Sequence, residues 1–294
     1  MQELKNFYRK TVLKIFKNRL GIFMNLKFIL FWFLIRTYRF FNPLKLDETS
    51  VKCVTELNNN GVLVIDSAKK NQLMTNISFK ANELLNNDEY IDNELKNNGL
   101  IRLKDSSLKI DNLTEIFNLP EVHNLIKSYF KSNFYIYSSD VYRTIPIDET
   151  SKPFDSTDWH FDNASFDMLK VFVYLTDVTE ETGALKLTGR NISDNIKNKG
   201  IFLREDIDKY TNEIEKEEII VEGEAGTIIF FTPHSNMHKA TLPSLSFRNA
   251  AVFLVYPSFS YKSSESEKRK LEISRNYGYM TNPFTKKPLR IGNS

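Results

Sequence analysis

The stretch "STDWHFDNASFD" (156–167) sets a histidine and a carboxylate two positions apart, His160 and Asp162. Residues two apart on extended backbone project from one face, so both side chains reach one point while Phe161 turns away. Two donors cannot hold a catalytic metal firmly, and a third must come from elsewhere. "FFTPHSNMHKATLPSLSFRNAAVF" (230–253) offers His234 and His238. Two imidazoles and one carboxylate on one side of a metal leave three positions open, the facial arrangement of non-haem Fe(II) oxygenases. Arg248 follows His238 by ten positions. A planar guanidinium grips a carboxylate through two parallel hydrogen bonds, so a dicarboxylate could chelate the metal at one end and meet Arg248 at the other. His160, Asp162, a histidine 76 positions beyond Asp162 and an arginine ten further on make a far more specific set than H-x-D alone. The competing reading is a structural His–Asp hydrogen bond at a strand end.

These residues need a rigid frame. From residue 130 onward the chain reads as short β-branched or aromatic runs separated by Gly, Pro, Asn or Asp turns: 133–145, 168–178, 184–188, 218–222, 226–231 and 247–257. Many short strands of this kind build a sandwich or barrel, and Arg248 falls on the strand after the histidine-bearing turn. Before them, 47–61 reads as a capped helix ending at Gly61, and 61–66 as a short buried strand. Residues 69–85 and 119–130 carry helical apolar spacing. His123 lies on the last of these helices with no partner nearby in sequence, a structural residue. The polar stretch 191–216 reads as a surface loop or short helix, and 262–294 as a tail. The expected organisation is an arm (1–46), a catalytic unit (47–261) and that tail.

Composition narrows the classes. Hydrophobic residues make up 41% of the 294 and aromatics 13%, enough for a sizeable core. Cys53 is the single cysteine, which excludes a disulfide framework and fits a reducing, cytoplasmic setting. No Gly-rich phosphate loop, Cys-based zinc spacing, internal repeat or GxSxG elbow is present. The net charge of +3 conceals an asymmetry: residues 1–46 hold ten Lys or Arg against Glu3, a net +9, leaving −6 for the rest. The body is therefore no nucleic-acid binder, and the basic arm calls for an anionic partner. An unbroken apolar run, Phe28 to Ile35, lies within the arm between Lys27 and Arg36. It is short of the ~20 residues a spanning helix wants. It suits docking on the body or a second subunit, or peripheral contact with an anionic membrane.

"WHFD", "VFVYLTDVTEETGALKLTGRN" and "GTIIFFTPHSNMHKATLPSLSFRNAAVFLVY" resemble the phytanoyl-CoA dioxygenase family of Fe(II)/2-oxoglutarate-dependent oxygenases over about residues 48–258. The resemblance implies a mainly β protein with flanking helices around a double-stranded β-helix, or jelly-roll, core. It implies Fe(II), 2-oxoglutarate and O₂, with His160, Asp162 and His238 as iron ligands and Arg248 as anchor for the far carboxylate. Tyr142 and Phe172 fall where the family often contacts the cosubstrate. His234 becomes a turn residue, since choosing it would stretch the gap to Arg248 to fourteen. The family's small-residue-plus-His ending after "TGAL" reads "GRN" here, and Arg190 joins Arg143 and Asn163 as polar residues expected near substrate. Asp162 as carboxylate ligand leaves no room for a halide, which favours hydroxylation. The substrate class stays open between a small molecule, a lipid and a glycan. The rivals are a non-catalytic binding module on the same fold and a cupin-type sugar-modifying protein.

Overall fold

The computed structural model describes residues 33–41, 43–44, 46–66, 71–162, 168–202 and 204–258. Helix α1 (Glu48–Asn60) starts where the Asp47 carboxylate accepts the Ser50 amide hydrogen, and stops where Gly61 turns left-handed at φ +84°. Both devices satisfy helix-end backbone groups that otherwise lack partners. Helix α2 (Gln72–Leu85) is capped by the Asn71 side chain, and α3 (Pro120–Phe130) opens on Pro120. Their apolar stripes, among them Leu57, Ile77, Ala81 and Leu125, pack into one core with Phe117, Phe134 and Phe253. Each buried side chain of that size contributes about 1.5–3 kcal/mol over an exposed one.

Ten strands follow the sequence order: β1 (Val62–Ile65), β2 (Ile91–Asp92), β3 (Leu100–Leu103), β4 (Asn133–Thr144), β5 (Leu169–Tyr174), β6 (Leu185–Thr188), β7 (Glu218–Val221), β8 (Ile228–Phe231), β9 (His238–Lys239) and β10 (Arg248–Ser258). Seven form one antiparallel sheet in the order β1-β8-β5-β10-β4-β3-β2, and three form a second, β7-β6-β9. The period of two along β5 divides its side chains cleanly. Leu169, Val171 and Val173 join the helix-covered core, while Phe172 and Tyr174 face the second sheet and pack with Leu185, Leu187 and Val221. Tyr174 stitches the sheets together, its hydroxyl donating to the Val221 carbonyl at 2.6 Å and accepting from the Leu185 amide at 3.0 Å. The expected two-sheet jelly roll with flanking helices is the observed architecture.

The expected strands of the second half all appear, most with shorter ends, β10 running one residue further, to Ser258. One feature differs from expectation: the stretch 86–118, to which no strand was assigned, supplies β3 and the edge strand β2. Of the loop or short helix expected over 191–216, the structure has the helix, α4 (Arg190–Asn198), whose Ile192 and Ile196 are buried against Trp159, Phe161 and Met237. Residues 33–41 of the arm are helical, with Ile35 buried and Phe33, Leu34, Tyr38, Phe40 and Phe41 exposed. No helix among the described residues is long and apolar enough to cross a membrane. Most of the arm, the tail beyond 258 and Asn163 lie outside the described residues.

Candidate metal centre

His160 and His238 come together through their backbones. Outside any continuous strand, the His160 amide donates to the His238 carbonyl at 3.2 Å and the His238 amide returns the bond at 3.1 Å. This reciprocal bridge brings the rings to 4.4 Å between centres. β9 is held on its other side by β6, with Leu187 opposite His238. Two residues past His160, the Asp162 amide donates to the Pro233 carbonyl at 2.9 Å. His160 and Asp162 thus share a face, as their spacing predicts, but a bridge and a turn contact position them where a strand was expected.

The hydrogen bonds behind the rings settle their tautomers. His160 Nδ1 lies 2.8 Å from the Asp158 carbonyl, and His238 Nδ1 lies 3.2 Å from the Asn236 carbonyl. A carbonyl can only accept, so in each neutral ring the network assigns the hydrogen to Nδ1 and the lone pair to Nε2. Those two Nε2 atoms stand 3.4 and 3.5 Å from Asp162 Oδ1. With the rings in that tautomer, three ligand atoms converge, all within 4.8 Å of one another. A cation at that point converts the mutual repulsion into coordination, and imidazole with carboxylate is a donor set suited to iron. The carbonyl partners also fix ring orientation from behind, as the outer neighbours of metal-bound histidines do.

Charge and burial agree. Burial, the largest influence on Asp162, opposes its ionisation, but Lys170 with His238 and His160 outweighs it and holds the carboxyl well below the usual range. Burial, then Lys170 and His160, push His238 down to about 4. It is neutral, the form that ligates.

Arg248 forms the other end of the site. Its side chain is fully buried, Nη1 donates to the Gly183 carbonyl, and Nε and Nη2 have no hydrogen-bond partner among the described residues. Two donors left unmatched in an apolar setting are costly and match the two oxygens of a carboxylate. Phe172 lies beneath, its ring 5.6 Å from the guanidinium carbon, and Tyr142 packs edge-on against Phe172 at 6.2 Å. Burial pushes the Tyr142 phenol up to about 12, which keeps it a neutral wall. The structure therefore brings His160, Asp162, His238, Arg248, Phe172 and Tyr142 to one face of the large sheet.

Other expected residues lie elsewhere. Arg143 sits on the opposite side of β4 from Tyr142, its guanidinium taken up by Asn249 (2.8 Å), Asn86 (2.7 Å) and Asn82 (2.9 Å). That network ties β4 and β10 to α2. It acts as a structural clamp between the sheet and α2. Arg190 at the start of α4 donates to Asn236 (3.1 Å) and Thr232 (3.3 Å), bracing the turn that ends in His238. His123 accepts its structural place, with Nδ1 3.1 Å from the Phe117 carbonyl. His234 lies on the same turn as Asn236, with Nδ1 buried and unmatched, and burial helped by Lys197 and Arg190 pushes it down to about 3.

Two residues escaped the sequence reading. Tyr174 is the inter-sheet stitch. Lys170 lies at the centre itself, its Nζ 2.5 Å from Asp162 Oδ2 and 3.3 Å from His238 Nε2. The available signal was the period of two, which puts Lys170 on the same face of "MLKVFVY" as Phe172.

No protein-family model matches the chain, and no curated protein does. Solved structures do share its fold. SnoN, a non-heme alpha ketoglutarate dependent epimerase from nogalamycin biosynthesis, superposes with a TM-score of 0.55 at 16% identity, covering 72% of this chain and 84% of that one. SnoK, an alpha ketoglutarate dependent carbocyclase from the same biosynthesis, gives 0.54 at 17%, covering 85% and 95%. EctD from S. alaskensis, solved with 2-oxoglutarate and 5-hydroxyectoine, gives 0.53 at 13%, covering 74% and 78%.

Proposed function

We propose that this chain is an Fe(II)/2-oxoglutarate-dependent oxygenase of the phytanoyl-CoA dioxygenase type, hydroxylating a small organic substrate. The catalytic unit is residues 47–261. One observation carries the reading: a buried His–Asp–His cluster whose ligand atoms all lie within 4.8 Å of one another shares the inner side of the large sheet with a buried arginine that has two donors unmatched among the described residues. A metal alone would explain the first half, and a dicarboxylate bound to that metal explains both. When bound, the iron and its cosubstrate supply oxidative chemistry in which 2-oxoglutarate and O₂ become succinate and CO₂ and a C–H bond becomes C–OH.

The chain's own residues prepare that chemistry. His160 and His238 present Nε2 lone pairs because backbone carbonyls hold their Nδ1 hydrogens. Asp162 supplies the anionic donor, and Arg248 takes the far carboxylate and so fixes the length of an acceptable cosubstrate. Phe172 and Tyr142 wall the space between and exclude water, which strengthens both electrostatic contacts. The fold relatives act on or hold small molecules: one SnoN structure contains Fe3+, alpha ketoglutarate and nogalamycin RO. Their names also include epimerase and carbocyclase, so products should be examined for loss of two hydrogens or inversion as well as gain of oxygen. The basic arm is assigned to an anionic lipid surface, separate from the chemistry.

The test is an anaerobic titration of the Fe(II)-loaded protein with 2-oxoglutarate, following the visible band of the chelate. Wild type should develop the band, Asp162→Ala should lose iron and band together, and Arg248→Ala should need far more 2-oxoglutarate. Iron retained with no band at any concentration would refute the oxygenase reading and favour the binding module.

A further inference from the structure

Lys170 is the one charged group at the centre to which the facial set of ligands gives no role. It projects from β5 on the same face as Phe172, and its side chain is only 15% exposed. Its Nζ touches the oxygen of Asp162 that faces away from the histidines, and also the Nε2 of His238. Asp162 is its sole ion-pair partner among the described residues. The ring of Phe231 lies 5.5 Å away. A lysine seldom tolerates such burial unpaired, and both groups its Nζ touches belong to the candidate ligand set.

Consider what a divalent cation does to this arrangement. Between the two Nε2 atoms and Oδ1 it takes over the charge of Asp162, and Lys170 becomes a cation beside a cation. Imidazoles that ligate a metal do so in the neutral form, so cation, Asp162 and Lys170 would together carry two positive charges, one more than the same centre without the lysine. The unbalanced charge lies at the metal end of the site, among Lys170, Asp162 and His238.

We propose that Lys170 is an anion-binding residue of this centre, paired with Asp162 while no metal is bound and transferred to the metal-chelating carboxylate of the cosubstrate once the cation has claimed Asp162. The proposal rests on the Fe(II)/2-oxoglutarate reading and adds a second cationic anchor to it, so that each carboxylate of the dianion meets its own positive side chain. It also orders the events. Lys170 discourages the metal by like-charge repulsion and rewards the anion that follows, which makes metal retention depend on cosubstrate.

The two effects have opposite signs, and a residue that merely propped up Asp162 could not produce them. In Lys170→Met, a neutral side chain of similar length, anaerobic titration with Fe(II) alone should show binding at least as tight as wild type. At saturating Fe(II), 2-oxoglutarate should bind about tenfold or more weakly by its chelate band, the loss of one charge-assisted hydrogen bond. Lys170→Arg should restore most of the cosubstrate affinity, and thermal melting of the metal-free variants checks that both fold. Weakening of Fe(II) and 2-oxoglutarate in parallel, or unchanged 2-oxoglutarate affinity in Lys170→Met, overturns the proposal. Failure of the wild type to form any chelate overturns the oxygenase reading beneath it, a result visible before any variant is made.

Discussion

Arg248 shows how stability and binding oppose one another at a single residue. Its guanidinium is entirely enclosed, and two of its donors have nothing to bond among the described residues. Such a group weakens the fold that contains it. Arg248→Met should therefore leave the melting temperature of the metal-free protein unchanged or raise it, while 2-oxoglutarate affinity falls about a hundredfold, the ~2.7 kcal/mol of a charged hydrogen-bonded pair. Differential scanning calorimetry beside the chelate titration reads both. The histidines give a pH signature. His238 near 4 and His234 near 3 are neutral in the fold, whereas in the unfolded chain each takes up a proton near 6.5. Between those limits the unfolded state binds more protons, so stability rises with pH and is lost as pH falls from about 6.5 toward 4 for His238 and toward 3 for His234. For His238 the whole loss is about 3 kcal/mol. Melting temperature of the metal-free protein should drop steadily below pH 6.5, and His234→Gln should reduce the dependence by about one proton. At this scale most of the site was legible: H-x-D, His238 and Arg248 were visible because their chemistry dictates residue type. The clamp role of Arg143 was not, because its three asparagine partners include two on a helix some sixty positions earlier.

Among the elements, the turn before His238 carries much of the precision. Asn236, fully buried, accepts from Arg190 and Thr232 and offers its carbonyl to the His238 ring. A Cβ on Gly61 would fall 1.7 Å from the Asn236 amide nitrogen, and Gly61 already needs φ +84°. Gly61→Ala should cost more than about 1 kcal/mol in urea unfolding and weaken Fe(II) binding, because Asn236 must move. Placed on the helix side of the sheet, a loss of equal size would spare the metal, so measuring both separates a site effect from a general one. Helix α1 was legible from Asp47 and Gly61, and β5 from its alternation. β9 was not. It is two residues long, and nothing in "SNMHKAT" has strand periodicity; its pairing with β6 and with His160 comes from partners about fifty and seventy-eight positions away. β2 and β3 are similarly short, β3 placed by β4 and the edge strand β2 by β3 rather than by their own composition.

At the scale of the whole molecule, charge is divided unevenly along the chain. The arm concentrates a net +9 over residues 1–46, and its described helix exposes Phe33 at 64%, Phe40 at 82% and Phe41 at 74% beside Arg36 and Arg39. Basic residues interleaved with exposed aromatics suit the headgroup layer of an anionic bilayer. The full chain should sediment with vesicles containing phosphatidylserine and much less with phosphatidylcholine alone, and a chain beginning at residue 45 should lose the difference; equal binding by both chains removes the arm from that role. The reciprocal His160–His238 bridge has a consequence in time. Its two backbones are separated by 78 positions, and the intervening chain must first build β5, β6, β7 and β8. Contacts so distant along the chain are slow to close, so the ligand set is assembled only when nearly everything else is in place. Metal uptake should then act as a clock for the end of folding: in stopped-flow refolding, Co(II) absorption should rise with the slowest phase of tryptophan fluorescence and never precede it.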